Sequence, residues 1–386
     1  MATPVSILSI SSFSALGSTP ADVWQNYLSD TTMIKQMQIG DSLVPASPIS
    51  AELATQVQAL RDSNTKYRHL DASVLYAVLA SRAAVKAAGW GAGDTFGINI
   101  GSSRGATHLF EQHHAEFLET GRSGTQASPA TTLGNISSWV AHDLNRSGPD
   151  ISHSITCSTA LHALLNGVAW LRSGMADKFL TGGSEAPLTP FTLSQMKAMK
   201  IYSADDSDYP CRALDLDKTK NSMVLGEGAA SACLELGLRP NALAYIEGIG
   251  YATELLQHSV SISAEADCLQ KSMLMALQDT DINEVDAIVM HAPGTVKGDL
   301  SEYAAVRKIF SESMPLLTTT KWKNGHTFGP SGLLSLELAV LMLQHGEFIG
   351  VPYLSGGSHV KKKAIKKVLV NAVGFGGNAV SVLVSK

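Results

Sequence analysis

The sequence predicts an α/β fold with mainly parallel sheets, and three observations lead to this prediction. Apolar runs with the alternation typical of strands are repeatedly followed by runs with helical spacing of apolar residues. The chain of 386 residues is long enough for two domains or for one large duplicated unit. A glycine turn that leads into an apolar strand occurs twice, at 226–234 and at 374–382, as expected after a duplication. We therefore predict two similar halves, residues 1–238 and 239–386.

In the first half, predicted strands and helices alternate from residue 4 onward. The first helix begins at Pro20, behind Thr19 as a cap, and a long alanine-rich helix ends at Gly89. The segment 30–65 is weakly patterned and is predicted to be a surface excursion. The predicted strands are 4–10, 96–100, 151–155 and 178–185, and the predicted helices are 20–28, 71–88, 106–119, 133–144 and 158–171.

The second half is predicted to begin near Arg239 and to end on a hairpin. Its last two apolar runs, 367–373 and 379–384, flank the second glycine turn. The other predicted strands are 244–251 and 286–290, and the predicted helices are 263–279, 300–310 and 331–343.

The composition is that of an ordinary globular protein and excludes several classes of function. Hydrophobic residues make up 45% of the chain and charged residues 16%, which is enough apolar material for a large core. The net charge of −5 argues against nucleic acid as a partner, and an acidic partner would need a local basic patch. No apolar run reaches the ~18 residues of a membrane span, and the N-terminus has no basic leader. We expect a cytoplasmic protein.

The four cysteines, at 157, 211, 233 and 268, lie far apart without the spacing of a zinc site or a disulfide framework. Cys157 differs from the others because it lies between a strand-like run and a helical run, which Ser158 and Thr159 can cap. Free N–H groups and the helix dipole at such a position lower a thiol pKa and favour a nucleophilic thiolate. A small buried apolar side chain is the alternative, and this segment fits it equally well.

Two further predicted strands end in polar or glycine-rich loops that carry a histidine. His291 begins the segment His-Ala-Pro-Gly-Thr, and His326 follows Lys321 by five residues in the second loop. Each histidine alone is weak evidence, since the chain has twelve. A cysteine and two histidines in three similar loops together indicate a nucleophile with two imidazoles.

Five motifs in this order resemble those of the β-ketoacyl-acyl-carrier-protein synthases of the I/II type, condensing enzymes of the thiolase superfamily. The motifs are the nucleophile turn 156–163, the glycine-rich turn 224–230, the segment 291–295 with Asp299 and Glu302, the pair Lys321 and His326, and the glycine turn 374–377. They span nearly the whole chain. The resemblance implies a thiolase fold, in which duplicated α/β halves form a five-layered αβαβα core.

The resemblance also implies roles for individual residues. Cys157 would hold the acyl group as a thioester, and the N–H groups of Cys157 and Phe375 would bind the oxyanion. Phe375 would also gate the acyl pocket. Neutral imidazoles of His291 and His326 would stabilise the enolate that forms when malonyl carrier loses carbon dioxide. The remaining implied site residues are Lys321 and Glu302 as supports, and Thr295, Gly376 and Gly377 for substrate binding.

Several positions depart from the family pattern. Pro293 replaces a threonine, so that Thr295 alone can offer a hydroxyl to the pantetheine arm. Ser335 replaces the glutamate that normally pairs with Lys321, and Glu302 is the expected substitute. Further departures are Ala292, Val373 and Asn378. These changes favour a specialised enzyme, such as a type II polyketide or polyene ketosynthase.

The predicted function is the decarboxylative Claisen condensation of malonyl carrier with an acyl group on Cys157, in fatty acid or polyketide and polyene biosynthesis. The alternative is a non-catalytic partner similar to a chain-length factor, which the departures favour but the retained Cys157 opposes. A degradative thiolase would need a second cysteine near the C-terminus, and none follows Cys268. A type III condensing enzyme would have asparagine in place of His326.

The expected partners are acyl carrier protein and a second subunit, identical or similar to a chain-length factor. Lys66, Arg68 and His69 match the region where family members contact the carrier. The basic cluster 361–367 fits a solvated sheet edge better than a docking site. No metal or bound cofactor is expected, because the phosphopantetheine arrives on the carrier.

Overall fold

The computed structural model describes residues 3–133, 135–255, 262–278 and 280–386. Within these residues the strands are β1 (Val5–Ser14), β2 (Lys35–Ile39), β3 (Ser42–Ser47), β4 (Gly97–Gly101), β5 (Asp150–Ile151), β6 (Lys178–Glu185), β7 (Leu225–Gly226), β8 (Gly228–Leu236), β9 (Ala244–Thr253), β10 (Ala287–Val289), β11 (Leu316–Thr318), β12 (Glu347–Ile349), β13 (Val360–Lys362), β14 (Lys367–Gly374) and β15 (Asn378–Ser385). The α-helices are α1 (Pro20–Leu28), α2 (Ala51–Ser63), α3 (Ala72–Ala87), α4 (Thr107–Thr120), α5 (Ala127–Thr131), α6 (Asn135–Asp143), α7 (Thr159–Ser173), α8 (Pro190–Ala198), α9 (Asp267–Leu277), α10 (Val296–Phe310), α11 (Lys321–Asn324) and α12 (Ser331–His345).

Two five-stranded sheets with the same topology form the centre of the molecule. The first has the order β1-β8-β6-β4-β5, and the second has the equivalent order β9-β15-β14-β10-β11. In each sheet the first three strands are antiparallel neighbours and the last three are parallel neighbours. The shared order confirms the predicted duplicated α/β fold. The sheets are mixed rather than mainly parallel, and the predicted division at residue 238 stays a prediction.

Helices α7 and α12 lie between the two sheets, while α3 covers the outer face of the first sheet and α9 that of the second. The thirteen residues from Ser331 to Leu343 in α12 are all buried, as expected for a helix that is apolar on every side. Each fully buried leucine contributes roughly 1.5–3 kcal/mol. The result is the predicted five-layered αβαβα arrangement. No helix of the described chain is long and apolar enough to cross a membrane.

Three predicted elements differ from the structure. The segment 30–65 is ordered, because β2 pairs with β3 and α2 follows them. Strand β3 pairs with β7 only after Pro45, at residues that retain an N–H donor. The predicted strand 151–155 is reduced to β5 at the sheet edge. Helix α10 begins at Val296 rather than at residue 300, since Thr295 caps it by accepting a hydrogen bond from the Gly298 N–H. Residues 134 and 279 of two predicted helices lie outside the described residues.

The carboxyl ends of the parallel strands place the loops that carry the chemistry. Ends of parallel strands lie along the same edge of a sheet, which is where α/β proteins bind ligands. Cys157 follows β5, His291 follows β10, His326 follows β11 and Phe375 follows β14. The two halves therefore contribute to one site.

Strand β14 ends against the nucleophile turn at a point where no side chain fits. A Cβ atom on Gly374 would lie 1.9 Å from Thr156 Oγ1 and 3.0 Å from the Cys157 nitrogen. Thr156 has a φ of +46°, a left-handed conformation that β-branched residues rarely adopt. Its hydroxyl donates a hydrogen bond to the Phe375 carbonyl at 3.2 Å. The turn and the strand end therefore hold each other in place.

We expect Gly374→Ala to lower the free energy of unfolding by about 1–3 kcal/mol, because the added methyl group must displace the Thr156 side chain. Urea denaturation measures this change. Gly93→Ala is the control, since a Cβ there meets nothing within 4 Å, and its change should stay within ~0.5 kcal/mol. Equal stability of Gly374→Ala and the wild type would contradict the close contact.

Candidate active site

Cys157 lies in a single 3₁₀ turn, Thr156–Ser158, directly before α7. The Ser331 hydroxyl, at the start of α12, donates to the Cys157 carbonyl at 3.2 Å. The predicted caps do not cap α7. Instead, Thr159 Oγ1 accepts a hydrogen bond from the Ile155 N–H at 2.9 Å, which closes the turn around the cysteine.

Burial, rather than the helix terminus, determines the protonation of Cys157. Burial and the nearby Glu185 carboxylate raise the pKa of the thiol to about 12, although Lys321 and Arg104 act in the opposite direction. The prediction that the start of the helix lowers this pKa is therefore wrong for the free protein. The thiol is protonated at neutral pH and must lose its proton during the reaction.

His291 and His326 form one cluster with Cys157. The Cys157 Sγ and one ring nitrogen of each histidine lie within 4.8 Å of one another. The two imidazole rings are 5.2 Å apart between centroids, with their planes at 86°. Burial and Lys321 lower the pKa of His326 to about 3, and burial, Lys321 and His326 lower the pKa of His291 as well. Both imidazoles are therefore neutral, and each retains one N–H donor.

Both histidines are held by hydrogen bonds of their main-chain N–H groups. Their buried Nδ1 ring atoms have no hydrogen-bond partner among the described residues. The His326 N–H donates to the Val224 carbonyl at 2.7 Å. The carboxylate of Glu302 accepts from the His291 N–H at 2.9 Å and from the Ala292 N–H at 2.8 Å. Glu302 thus supports the site by fixing the backbone of the His291 loop.

Lys321 is 1% exposed and donates from Nζ to Ser335 Oγ at 3.3 Å. Ser335, which replaces the family's glutamate, is therefore itself a partner of the lysine. The ion pairs of the described chain do not join Lys321 to Glu302. The expectation that Glu302 substitutes as a direct ion-pair partner is wrong. Burial lowers the pKa of Lys321 to about 8, and the more distant Glu302 opposes that shift.

A cavity of about 300 Å³ extends from the surface to Cys157. Its outer end includes the exposed Lys297 and the side chain of Phe375, which is 37% exposed. Its inner end is apolar and buried, with Met196 and Phe328 in its wall. The predicted site residues that line the cavity are Cys157, His291, Thr295, Glu302, His326, Phe375, Gly376 and Gly377.

Thr295 and Pro293 both line this cavity. Thr295 Oγ1 accepts the capping hydrogen bond from Gly298 at 3.2 Å, which leaves the hydroxyl proton available to a ligand. Pro293 offers only an apolar ring at the same wall. Thr295 therefore offers a hydroxyl donor at this wall, and Pro293 does not.

Glu185, the last residue of β6, is a residue of the site that was not predicted from the sequence. Its buried carboxylate accepts hydrogen bonds from the Ser102 hydroxyl at 2.8 Å and from the N–H groups of Ser103, Arg104 and Gly329 at 2.8, 3.1 and 3.1 Å. It joins the loop after β4 to the loop after His326. The sequence signal for Glu185 is a carboxylate at the end of an apolar strand.

Among the described residues, a metal ion could be held by the cluster of Cys157, His291 and His326. Three such ligands with one open position would suit a catalytic zinc ion. The sequence predicts no metal here, and that remains a prediction.

The residues expected to dock the carrier lie outside the cavity. Lys66, Arg68 and His69 are exposed between α2 and α3. The Lys66 Nζ lies 3.5 Å from His142 Nε2, and no carboxylate of the described residues forms an ion pair with Lys66 or Arg68. Their positive charge is therefore available to a partner.

Family models match both halves of the chain. The N-terminal domain of the beta-ketoacyl synthases matches residues 2–237, and the C-terminal domain matches residues 243–352. The chain belongs to the beta-ketoacyl synthase family. This confirms the resemblance to condensing enzymes of the I/II type.

Individual relatives agree with this assignment. The 3-oxoacyl-[acyl-carrier-protein] synthase 2 of Coxiella burnetii is 26% identical over 397 residues, covering 97% of this chain and 96% of its own. The ishigamide ketosynthase/chain length factor structure has a TM-score of 0.86 at 19% identity and full coverage of both chains. A type II polyketide synthase acyl-carrier protein in complex with its hexaketide-bound ketosynthase has a TM-score of 0.85 at 17% identity, covering 100% of this chain and 99% of that one. These structures show the shared fold.

The raised thiol pKa predicts how Cys157 reacts with iodoacetamide. Only the thiolate is alkylated, so the rate should increase about tenfold per pH unit from about pH 7 to about pH 10. Mass spectrometry of the peptide that contains Cys157 measures the rate, and Cys157→Ser corrects for the other three buried cysteines. A rate that is already constant below about pH 8 would instead indicate the low-pKa thiolate that the sequence predicts.

Proposed function

We propose that this protein condenses malonyl carrier with an acyl group held on Cys157, as a 3-oxoacyl-acyl-carrier-protein synthase. The observation that carries the proposal is the cluster of one thiol and two neutral imidazoles within 4.8 Å in a cavity that reaches the surface. The family assignment supports the reaction class. No cofactor bound to the chain is required, because the carrier brings its own phosphopantetheine.

In the first half-reaction, the Cys157 sulfur attacks the carbonyl of an acyl thioester. The new bond joins this carbon to Sγ, and the bond to the carrier sulfur breaks. The thiol proton passes through a neighbouring imidazole to the departing carrier thiolate. We assign the oxyanion to the N–H groups of Cys157 and Phe375, because both residues line the cavity.

In the second half-reaction, malonyl carrier loses carbon dioxide and the electrons of the broken carbon–carbon bond form an enolate. His291 and His326 donate N–H hydrogen bonds to the enolate oxygen. The enolate carbon then attacks the acyl thioester, and the bond to Cys157 Sγ breaks to release the β-ketoacyl carrier. The sulfur leaves as a thiolate and takes up a proton from solvent, which regenerates the thiol. Neutral imidazoles suit this role, since they stabilise the oxygen without transferring a proton to it.

Cys157→Ala should abolish acyl-enzyme formation and condensation while the protein stays folded, because the side chain supplies the nucleophile and little core volume. Intact-mass spectrometry after incubation with acyl carrier measures the adduct, and circular dichroism checks the fold. An adduct of undiminished yield would refute the assignment of the nucleophile.

His326→Ala should separate the two half-reactions. The variant should still accept an acyl group on Cys157, more slowly than the wild type, but lose about 100- to 1000-fold in decarboxylation of malonyl carrier. Carbon dioxide release must be measured at saturating carrier, because Pro293 removes one hydroxyl from the arm's site. Decarboxylation at the wild-type rate would exclude the enolate role, whereas loss of acylation would identify His326 as the imidazole that accepts the thiol proton.

A non-catalytic partner similar to a chain-length factor is the second candidate. One neighbouring structure is described as a ketosynthase/chain length factor, so the fold serves both roles. The assembled cluster around Cys157 favours the catalytic role for this chain. Absence of any adduct on the wild type, alone and with a co-expressed ketosynthase, would favour the second candidate.

Acyl carrier protein and a second subunit complete the proposal. The proposed docking face for an acidic carrier consists of Lys66, Arg68 and His69. Lys66→Glu should weaken carrier binding more than Lys361→Glu does, and the carrier affinities of the two variants test this face. The edge strand β5 and the exposed apolar side chains on α4 support a dimer. The mass in solution distinguishes a homodimer from a protein that needs a different partner. Four free, buried cysteines support a cytoplasmic location.

A further inference from the structure

The inner end of the cavity is an apolar cluster around Cys157. Met196, Met223 and Phe328 belong to the same cluster as the cysteine, and each is at least 97% buried. All three line the cavity. An acyl group on Cys157 that points away from the surface must therefore extend toward these side chains.

Phe328 is held in an unusual backbone conformation at this end. Its φ of +54° lies in the left-handed region, which is an outlier for a bulky side chain and occurs most often at functional sites. Two neighbouring hydrogen bonds hold it there: the Ser331 N–H donates to the Phe328 carbonyl at 3.1 Å, and the Gly329 N–H donates to Glu185 Oε2 at 3.1 Å. The ring therefore has little freedom to move with its backbone.

The Phe328 ring contacts both the catalytic cluster and a cation. The His326 ring is 5.2 Å away between centroids, at 68°. The Arg104 guanidinium carbon lies 5.8 Å from the Phe328 ring centroid. Arg104 donates from Nη2 to Gln195 Oε1, but its buried Nε has no partner and it forms no ion pair with a carboxylate of the described residues.

We propose that Phe328 closes the acyl site and restricts Cys157 to short acyl groups, with Arg104 as a positioning residue behind the ring. The proposal rests on the proposed function, since it concerns the acyl group that Cys157 accepts. A longer alkyl chain would have to displace a constrained ring. It would then remove water from a cation that lacks a counter-ion, which is unfavourable.

Acylation of Cys157 by N-acetylcysteamine thioesters tests this proposal without the carrier. Acetyl, butyryl, octanoyl and dodecanoyl thioesters are compared by the initial rate of adduct formation, measured by intact-mass spectrometry. We expect the wild type to accept octanoyl at least about tenfold more slowly than acetyl, and Phe328→Leu to remove most of that difference. Phe348→Leu is the matched control, because Phe348 is also 3% exposed but lies on β12 and does not line the cavity.

Arg104 is tested in the same assay. Arg104→Met should shift the preference toward longer groups in the same direction as Phe328→Leu, because the ring loses the cation that holds it. Arg104→Lys should retain the wild-type profile, since a lysine can also lie over the ring. These variants also keep the proposal testable if Phe328→Leu does not fold.

The outcomes separate this proposal from the proposed function. Acetyl adducts on the wild type with equal rates for all four thioesters would overturn the restriction and leave the function intact. A chain-length profile that neither Phe328→Leu nor Arg104→Met changes would also overturn it. Absence of every adduct would refute the function, and the restriction with it.

Discussion

The close contact between the end of β14 and the nucleophile turn is the constraint on which the site depends. Gly374 belongs to the second half of the chain and Thr156 to the first, and only a residue without a side chain allows them to meet. The contact joins the loops that carry Cys157 and Phe375, both of which line the cavity. Without this contact, each half would carry only some of the residues that form the site.

Burial is the second determinant, because it sets the protonation of every group in the cluster. It keeps the thiol protonated and both imidazoles neutral, and it lowers the pKa of Lys321 to about 8. Because a pKa of about 8 lies above neutral pH, most Lys321 side chains still carry a positive charge there. The site is therefore prepared to donate hydrogen bonds to an oxyanion, while the nucleophile requires a proton acceptor at the moment of attack.

The departures from the family pattern are accommodated by local changes. Ser335 accepts a hydrogen bond from Lys321 in place of an ion pair, and Glu302 holds the backbone on either side of His291. Neither change disturbs the cluster of Cys157 with the two histidines.

The duplicated α/β fold, and nearly all of the helices and strands that carry the site, could be predicted from the sequence. Local patterns suffice for this, because strand alternation, helical spacing and glycine turns are properties of neighbouring residues. They also suffice to single out Cys157, His291 and His326, each in a loop after a predicted strand. The antiparallel neighbours in each sheet and the order in segment 30–65 depend on pairing between distant strands, which local patterns do not contain.

The electrostatics and the shape of the site depend on how the folded chain packs and could not be predicted from the sequence. The pKa of Cys157 could not be predicted from its place before a helix, because it is raised by burial and by Glu185, which the local sequence does not reveal. The partner of Lys321, the four hydrogen bonds to Glu185 and the position of Arg104 behind Phe328 join residues 14 to 224 positions apart in the chain. Such contacts arise when distant segments pack together, within one half or between the two, since their energies depend on distance, burial and orientation rather than on sequence neighbours.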